Sequence, residues 1–124
     1  MTITAVSCDD FDSLIADNPL VLVFFWTPWC KPCRQFAPIF ETSSCQHRGL
    51  THATVNADAE QELIARLRLF AVPCLMAFRD GALVYNHPGK LAASELDELT
   101  AALGGLAVSE VHARMVSHAA AMPA

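Results

Sequence analysis

An unbroken apolar run that leads straight into a pair of cysteines constrains this chain more than any other feature. No polar side chain interrupts the run from Leu20 to Trp26, and a short run of this kind is typical of a strand buried on both faces of a partly parallel sheet. Cys30 and Cys33 follow at once, at the head of a helix-like stretch. This order of strand, cysteine pair and helix predicts an α/β fold.

The spacing of the two cysteines indicates redox chemistry. A Cys-x-x-Cys pair inside a βαβ pattern is typical of a dithiol–disulfide centre. If Cys30 opens a helix, Cys33 lies one turn further on, within reach of a disulfide bond. The free N–H groups and the positive dipole end of that helix would then stabilise a thiolate at Cys30.

Composition sets the broad class. The 124 residues, 53% of them hydrophobic and 17% charged, suffice for one domain with its own core. No apolar run approaches the roughly 20 residues that a membrane-spanning helix needs, and the first residues lack the pattern of an export signal. A net charge of −5 without a basic cluster argues against nucleic acids and anionic membranes as partners. We therefore expect a cytoplasmic protein.

The five cysteines point to the same compartment. Their odd number does not suit a secreted disulfide framework, and suits one working pair with additional thiols in a reducing environment. The five histidines are scattered without ligand spacing, so we interpret them as surface or loop residues.

Hydrophobic periodicity and turn signals predict the element order βαβαβαββα. This order indicates a mixed central sheet flanked by helices. Pro38 lies inside the second helix and should kink it, and Asp80-Gly81 is typical of a hairpin turn. The predicted strands cover 2–6, 20–26, 50–56, 75–78 and 82–86, and the predicted helices 9–16, the cysteine pair to about 44, 60–69 and 91–103.

Gly104-Gly105 marks the expected boundary of the compact part. We predict a domain over 1–104 and an extension over 105–124 that is helical or partly disordered. Val108, Val111 and Met115 recur there at helical spacing, and a frayed or surface-packed terminal helix is the simpler interpretation than a docking helix.

At this point the sequence resembles the thioredoxin family over about residues 3–103. The resemblance rests on an active-site block, a helix proline, a strand end, a proline loop and two glycines at matching spacings. These are Trp26, Trp29, Cys30, Pro32, Cys33, Pro38, Asn56, Asp58, Val72, Pro73, Gly81 and Gly89. It implies the thioredoxin fold, with a cis peptide bond before Pro73.

The resemblance also implies an activity, the reduction of protein disulfides. Cys30 would be the exposed nucleophile that forms a mixed disulfide with a target protein, and Cys33, deeper in the structure, would resolve it. Trp29, Lys31, Pro32 and Pro73 would support the active site.

The same resemblance implies how the protein binds and is recharged. Trp29, Val72, Pro73 and Gly89 would bind the substrate chain, and a thioredoxin reductase would supply electrons. The family implies a role in electron transport and cell redox homeostasis, and we expect no cofactor and no metal. We expect a monomer, although an exposed Trp29 surface would permit a weak dimer.

The chain departs from the family pattern at the active site. Lys31 replaces the usual glycine, and its positive charge should favour the Cys30 thiolate and make the couple more oxidising. Phe24 and Thr54 replace a buried aspartate–lysine pair, which suggests slower resolution by Cys33. Cys74 replaces a threonine; it is either a third redox thiol near the active-site layer or, more simply, a small buried residue.

Alternatives remain open at this stage. Cys45 and His47 raise a zinc site with the cysteine pair, although a continuous helix would put Cys45 about 18 Å from Cys33. An oxidising or isomerising enzyme is the second possibility within the redox class. A binding or chaperone-like module with little turnover is the third.

Overall fold

The computed structural model describes residues 3–105, which form five strands and four helices in the predicted order. The strands are β1 (Ile3–Ala5), β2 (Leu20–Trp26), β3 (Thr51–Asn56), β4 (Cys74–Arg79) and β5 (Ala82–Pro88). The helices are α1 (Cys8–Asp17), α2 (Lys31–Gln46), α3 (Gln61–Leu67) and α4 (Ala93–Gly105). The predicted extension over 105–124 lies, beyond Gly105, outside the described residues.

The strands form one mixed sheet in the order β1-β3-β2-β4-β5. The apolar strand β2 lies at its centre, parallel to β3 and antiparallel to β4, which confirms the predicted thioredoxin fold. Strands β4 and β5 form the predicted hairpin. Asp80 and Gly81 at its tip have φ of 51° and 83°, the left-handed backbone that a tight two-residue turn requires.

Alternation along β2 explains why this strand tolerates no polar residue. Leu22 and Phe24 belong to one apolar cluster, whereas Val21, Val23 and Phe25 belong to another. Because successive side chains of a strand point to opposite faces, the two clusters are the two faces of the sheet. Helices α2 and α4 cover the first face, and α1 and α3 cover the second.

Four connections meet at one end of the sheet. Strand β2 ends at Trp26 next to the end of β3 at Asn56, and Phe25 pairs with Cys74 at the start of β4. Cys74 in turn pairs with Pro88 at the end of β5. The loop with the cysteine pair therefore emerges beside the loops that precede β4 and follow β5. We call this end of the sheet the active-site end.

No helix in the described part of the chain is long and apolar enough to cross a bilayer.

Candidate active site

Cys30 and Cys33 are joined by a disulfide bond, as the sequence predicted. Their Cα atoms lie 5.2 Å apart, a separation that disulfides commonly span. Residues one helical turn apart meet this requirement because Cys30 directly precedes α2 and Cys33 lies in its first turn. The pair can therefore form the two-electron couple of a disulfide and a dithiol.

The start of α2 places the sulfur of Cys30 against backbone donors. Cys30 is the N-cap residue, with extended backbone angles, and its Sγ accepts a hydrogen bond of 3.2 Å from the N–H of Cys33. The N–H groups of a first helical turn have no partner within the helix, and the helix dipole favours negative charge there. Pro32 also lies in this turn, where its missing N–H removes no helical bond.

Both cysteines are buried in the disulfide form. Cys30 is 5% exposed and Cys33 is 3% exposed, so the expectation of an exposed Cys30 is wrong for this state. The bond to Cys33 and the bond from its N–H draw the sulfur of Cys30 inward. Both residues belong to the apolar cluster of the first face, against which Val72 also packs. A partner must therefore press closely against this surface to reach the sulfur atoms.

The residues predicted to bind a substrate chain lie around this disulfide at the active-site end. The Val72–Pro73 peptide bond is cis, as the resemblance implied. The N–H of Gly89 donates a hydrogen bond of 2.7 Å to the carbonyl of Pro73, which ties the two loops together. Gly89 has a φ of 101°, a backbone conformation that suits glycine. Trp29 is 67% exposed beside the cysteine pair, so simple core packing does not account for it.

Lys31 stands between the two cysteines, with an exposed side chain. Among residues 3–105 its ammonium group has no hydrogen-bonded carboxylate partner, since the two ion pairs there join His47 to Asp97 and Arg66 to Asp12. Its charge is thus left to act on the neighbouring sulfur and on approaching partners, screened by water.

Phe24, at the position of the missing acid, is part of an aromatic cluster. Its ring lies edge-on to Phe36, with centroids 5.1 Å apart, and 5.5 Å from the ring of Phe40. Such contacts stabilise a core but cannot accept a proton. Phe24 therefore contributes packing beneath Cys33 and offers no group for proton transfer.

A cleft of about 370 Å³ is lined by Phe24 and Thr54, the two residues that replace the buried aspartate–lysine pair expected from the resemblance. Cys33 lines this cleft, as does Thr27, whose buried hydroxyl oxygen has no hydrogen-bond partner. A buried polar atom of this kind is commonly satisfied by water. The cleft gives solvent a route toward the second cysteine.

Cys74 lies on the other face of the sheet from the cysteine pair. It belongs to the cluster of the second face together with Phe25 and Met76, and its thiol donates a hydrogen bond of 3.1 Å to Oδ1 of Asn86. Burial raises the pKa of the Cys74 thiol from 9.0 to about 12. This environment favours the simpler of the two interpretations, a small buried residue.

The residues of the zinc alternative are not brought together. Cys45 is exposed in the last turn of α2, and His47 contacts Thr100 and Asp97 of α4. Within residues 3–105 no group of three or more His, Cys, Asp or Glu side chains is arranged to hold a metal ion.

Two histidines differ from the surface positions expected for them. His52 is 1% exposed, with Nε2 2.9 Å from the hydroxyl of Ser43 and Nδ1 3.0 Å from the carbonyl of Leu50. His87 is 8% exposed and stacks on Tyr85. Composition gives no sign of such burial, which the polar partners Ser43 and Leu50 permit for His52.

Phe70 is the residue at this end that the sequence prediction missed. Its side chain is 93% exposed, two residues before Val72. The sequence could have indicated this residue, because Phe70 lies between the periodic stretch of α3 and the loop that contains Pro73. Its position outside any strand or helix is what leaves it without a packing partner.

Comparison with known proteins agrees with this geometry. The thioredoxin family model matches residues 2–102. A thioredoxin of Pseudomonas aeruginosa is 35% identical over 86 residues, 68% of this chain and 79% of that protein. A thioredoxin of Mycoplasmoides gallisepticum is 30% identical over 90 residues, covering 73% and 90%. The structure of a mutant thioredoxin from Halobacterium salinarum superposes with a TM-score of 0.79 at 28% identity, covering 85% of this chain and 93% of that one.

Proposed function

Because this chain belongs to the thioredoxin family and is a thiol–disulfide oxidoreductase, we propose that it reduces disulfides of target proteins with Cys30 as nucleophile and Cys33 as resolving thiol. The observation that carries the assignment of roles is the hydrogen bond of 3.2 Å from the N–H of Cys33 to Sγ of Cys30 at the start of α2. That donor and the helix dipole stabilise negative charge on Cys30. No comparable donor faces the sulfur of Cys33 among the described hydrogen bonds.

The reaction conserves electrons in two exchange steps. In the first, the Cys30 thiolate attacks one sulfur of the target disulfide, so that a mixed disulfide forms and the other target sulfur leaves as a thiolate. In the second, Cys33 loses its proton and attacks the sulfur of Cys30, which releases the remaining target thiolate. The target gains two electrons, and Cys30 and Cys33 return to the disulfide.

The loops of the active-site end would hold the target during these steps. Trp29 offers an exposed apolar face, and the backbone of Val72 next to Pro73 would pair with an extended target segment. Gly89, bonded to the carbonyl of Pro73, would leave room for that segment because it carries no side chain. We propose these residues as the substrate groove, with Lys31 and Pro32 shaping the start of α2.

A complete cycle needs a source of electrons. We propose a thioredoxin reductase as the donor, with a cytoplasmic place in electron transport and cell redox homeostasis. We also propose that residues 1–104 carry the whole reaction. Turnover by the isolated domain at the rate of the full chain supports this boundary, and loss of turnover contradicts it.

One observation favours the oxidation or isomerisation of target disulfides over their reduction. The exposed ammonium group of Lys31, next to Cys30 in the sequence, takes part in neither ion pair of residues 3–105. A more stable thiolate makes the reduced form more stable and the disulfide more oxidising. An oxidase or isomerase is thus the alternative function, and a binding module that keeps the groove without turnover is the weaker one.

Trapping tests the assignment of the two cysteines. In a background where Cys8, Cys45 and Cys74 are serine, the Cys33→Ser variant should accumulate a mixed disulfide with a peptide disulfide through Cys30. The matched Cys30→Ser variant should accumulate none. A mixed disulfide that forms through Cys33 instead would reverse the two roles.

The reduction potential tests the direction. A glutathione titration in the same background should give a value near the about −270 mV of thioredoxins if the protein is a reductase. A value closer to about −200 mV is typical of glutaredoxins or isomerases and would favour the alternative. A binding module keeps its function when both cysteines are replaced by serine, whereas an enzyme loses it.

A further inference from the structure

An exposed phenylalanine stands apart from the packing of the rest of the fold. Among the described residues three large apolar side chains are largely exposed, namely Trp29, Phe70 and Leu83, at 67%, 93% and 48%. An isolated apolar side chain on a surface is ordinary. Two of these three, however, are aromatic and belong to loops at the same end of the molecule.

Strand pairing brings those two loops together. Trp29 follows the end of β2, and Phe70 precedes the start of β4, while Phe25 of β2 pairs directly with Cys74 of β4. The chain therefore leaves β2 and enters β4 at neighbouring points of the active-site end. Val72, two residues after Phe70, packs against the cluster that contains the cysteine pair. The two exposed aromatic residues are thus on the chain segments that border the buried disulfide.

Because the disulfide is buried, exposed aromatic residues next to it can help a target protein to bind. Cys30 is only 5% exposed, so a target disulfide reaches it only if the target lies closely against the surrounding loops. Aromatic side chains supply large contact areas at small entropic cost and are enriched among the residues that dominate binding energy. A target that covers Phe70 removes an apolar surface that water otherwise surrounds almost completely.

We propose that Phe70 is a specificity-determining residue that selects target segments with a large apolar side chain close to the disulfide. The partner is an extended stretch of a disulfide-bonded protein, since the surface is continuous with the thiol–disulfide centre. Trp29 borders the other side of the same site. This inference rests on the proposed reduction of target disulfides and adds the class of sequence that is reduced fastest.

Paired peptides test the proposal without a reductase. Two peptides each carry one intramolecular disulfide and differ only in having Leu or Ser at the positions next to the cysteines. The pre-reduced protein is mixed with each peptide, and the second-order rate of its oxidation is followed by tryptophan fluorescence. In this step the peptide disulfide becomes a dithiol and the Cys30–Cys33 dithiol becomes the disulfide.

The wild-type protein should oxidise faster with the Leu peptide, and Phe70→Ser should lower that rate about tenfold, the effect of losing one large apolar contact. Its rate with the Ser peptide should change by less than about twofold, and Phe70→Leu should keep most of the preference. Leu83→Ser is the matched control. Leu83 pairs with Phe78 near the hairpin turn, at the end of the sheet away from the cysteines.

Three results would overturn the proposal. Equal rates with the two peptides in wild type would remove the selectivity, and an equal loss with both peptides in Phe70→Ser would indicate damage to the loop. Sedimentation that shows a dimer dissolved by Phe70→Ser would assign the side chain to a second copy of this chain. If the wild type reduces neither peptide, the proposed function itself fails, which is a different result from lost selectivity.

Discussion

Cys30 and Cys74 lie near the same end of the sheet, yet they occupy opposite chemical environments. Cys30 caps a helix and its sulfur faces the N–H of Cys33, whereas Cys74 lies within a strand on the second face, surrounded by apolar side chains. The exposed fractions of the two residues, 5% and 2%, hardly differ. Burial by itself therefore does not decide which thiol reacts. The backbone donors and dipole of a helix start decide it.

The largest expected effect comes from exchanging sulfur for oxygen at each position. Cys30→Ser should lower the turnover of a peptide disulfide by about 1,000-fold or more, since no thiolate remains to attack. Cys74→Ser should keep the turnover within about twofold, because Cys74 lies on the other face of the sheet. The comparison would fail if Cys74→Ser abolished turnover while the circular dichroism spectrum stayed unchanged.

Alkylation sharpens the same comparison. After reduction, Cys30 should react with iodoacetamide at pH 8 at least about 100-fold faster than Cys74, since only the thiolate reacts and Cys74 is shielded. The pKa of Cys74, raised to about 12 by burial, keeps it protonated at that pH. Peptide mass mapping in a Cys8→Ser, Cys45→Ser background separates the sites. Labelling of native Cys74 as fast as that of Cys30 would contradict the assignment of the reactive thiol.

Cys33 is the intermediate case, because it is as buried as Cys74 but lies in the first turn of α2. Phe24 stands where an acid is usual, and a phenyl ring accepts no proton; the carboxylate of Glu41, which lines the same cleft, belongs to an exposed residue. We expect the release of the target from Cys30 to accelerate about tenfold per pH unit across the neutral range, as thiolate formation by Cys33 does. Stopped-flow measurement of the second exchange step checks this, and a pH-independent rate as fast as that of an ordinary thioredoxin would refute it.

The prediction of the fold from sequence succeeded where a local pattern had one structural solution. The apolar run 20–26 became β2 without a change of bounds, and Asp80-Gly81 became the hairpin turn. Helix ends were less exact. The last helix, predicted over 91–103, begins at Ala93, and the carboxylate of Glu95 accepts a hydrogen bond from the N–H of Ala92 just before it.

The sequence predicted the bond between the two cysteines correctly, but it did not predict which side chains of the site are buried. Spacing fixes whether two cysteines can bond, and they do. The burial of Cys30 and of His52 depends on contacts between distant segments, which no local pattern records. The same holds for the placement of Cys74 on the second face, since register with neighbouring strands determines it.

Stability at high pH should report the buried Cys74 thiol. An unfolded chain loses the thiol proton near pH 9, whereas the folded protein keeps it up to about pH 12. The free energy of unfolding should therefore fall as pH rises through this window, by up to about 1.4 kcal/mol per pH unit. Below pH 9 both states hold the proton and the thiol contributes no pH dependence.

Denaturant unfolding of the oxidised protein at pH 8, 9 and 10 measures this slope. Cys74→Ala should flatten it between pH 9 and 10. Cys45→Ser, which removes an exposed thiol, is the matched control and should leave the slope unchanged. Tyr85, whose pKa burial raises from 10.0 to about 12, adds its own loss of stability above pH 10, so the test does not go beyond that pH. An unchanged slope in Cys74→Ala would show that the thiol is not held protonated.

The smallest effect should come from Lys31, which tests whether a side chain adds to what the helix start already supplies. Lys31→Gly removes an exposed charge next to Cys30, so thiolate formation should shift to higher pH and the couple should become less oxidising. Solvent screening keeps the change in the alkylation rate of Cys30 at pH 7 within about threefold. Arg34→Gln, which removes a charge one turn into the same helix, is the control. If Lys31→Gly leaves both the alkylation profile and the reduction potential unchanged, the backbone donor from Cys33 and the helix dipole account for the reactivity of Cys30 alone.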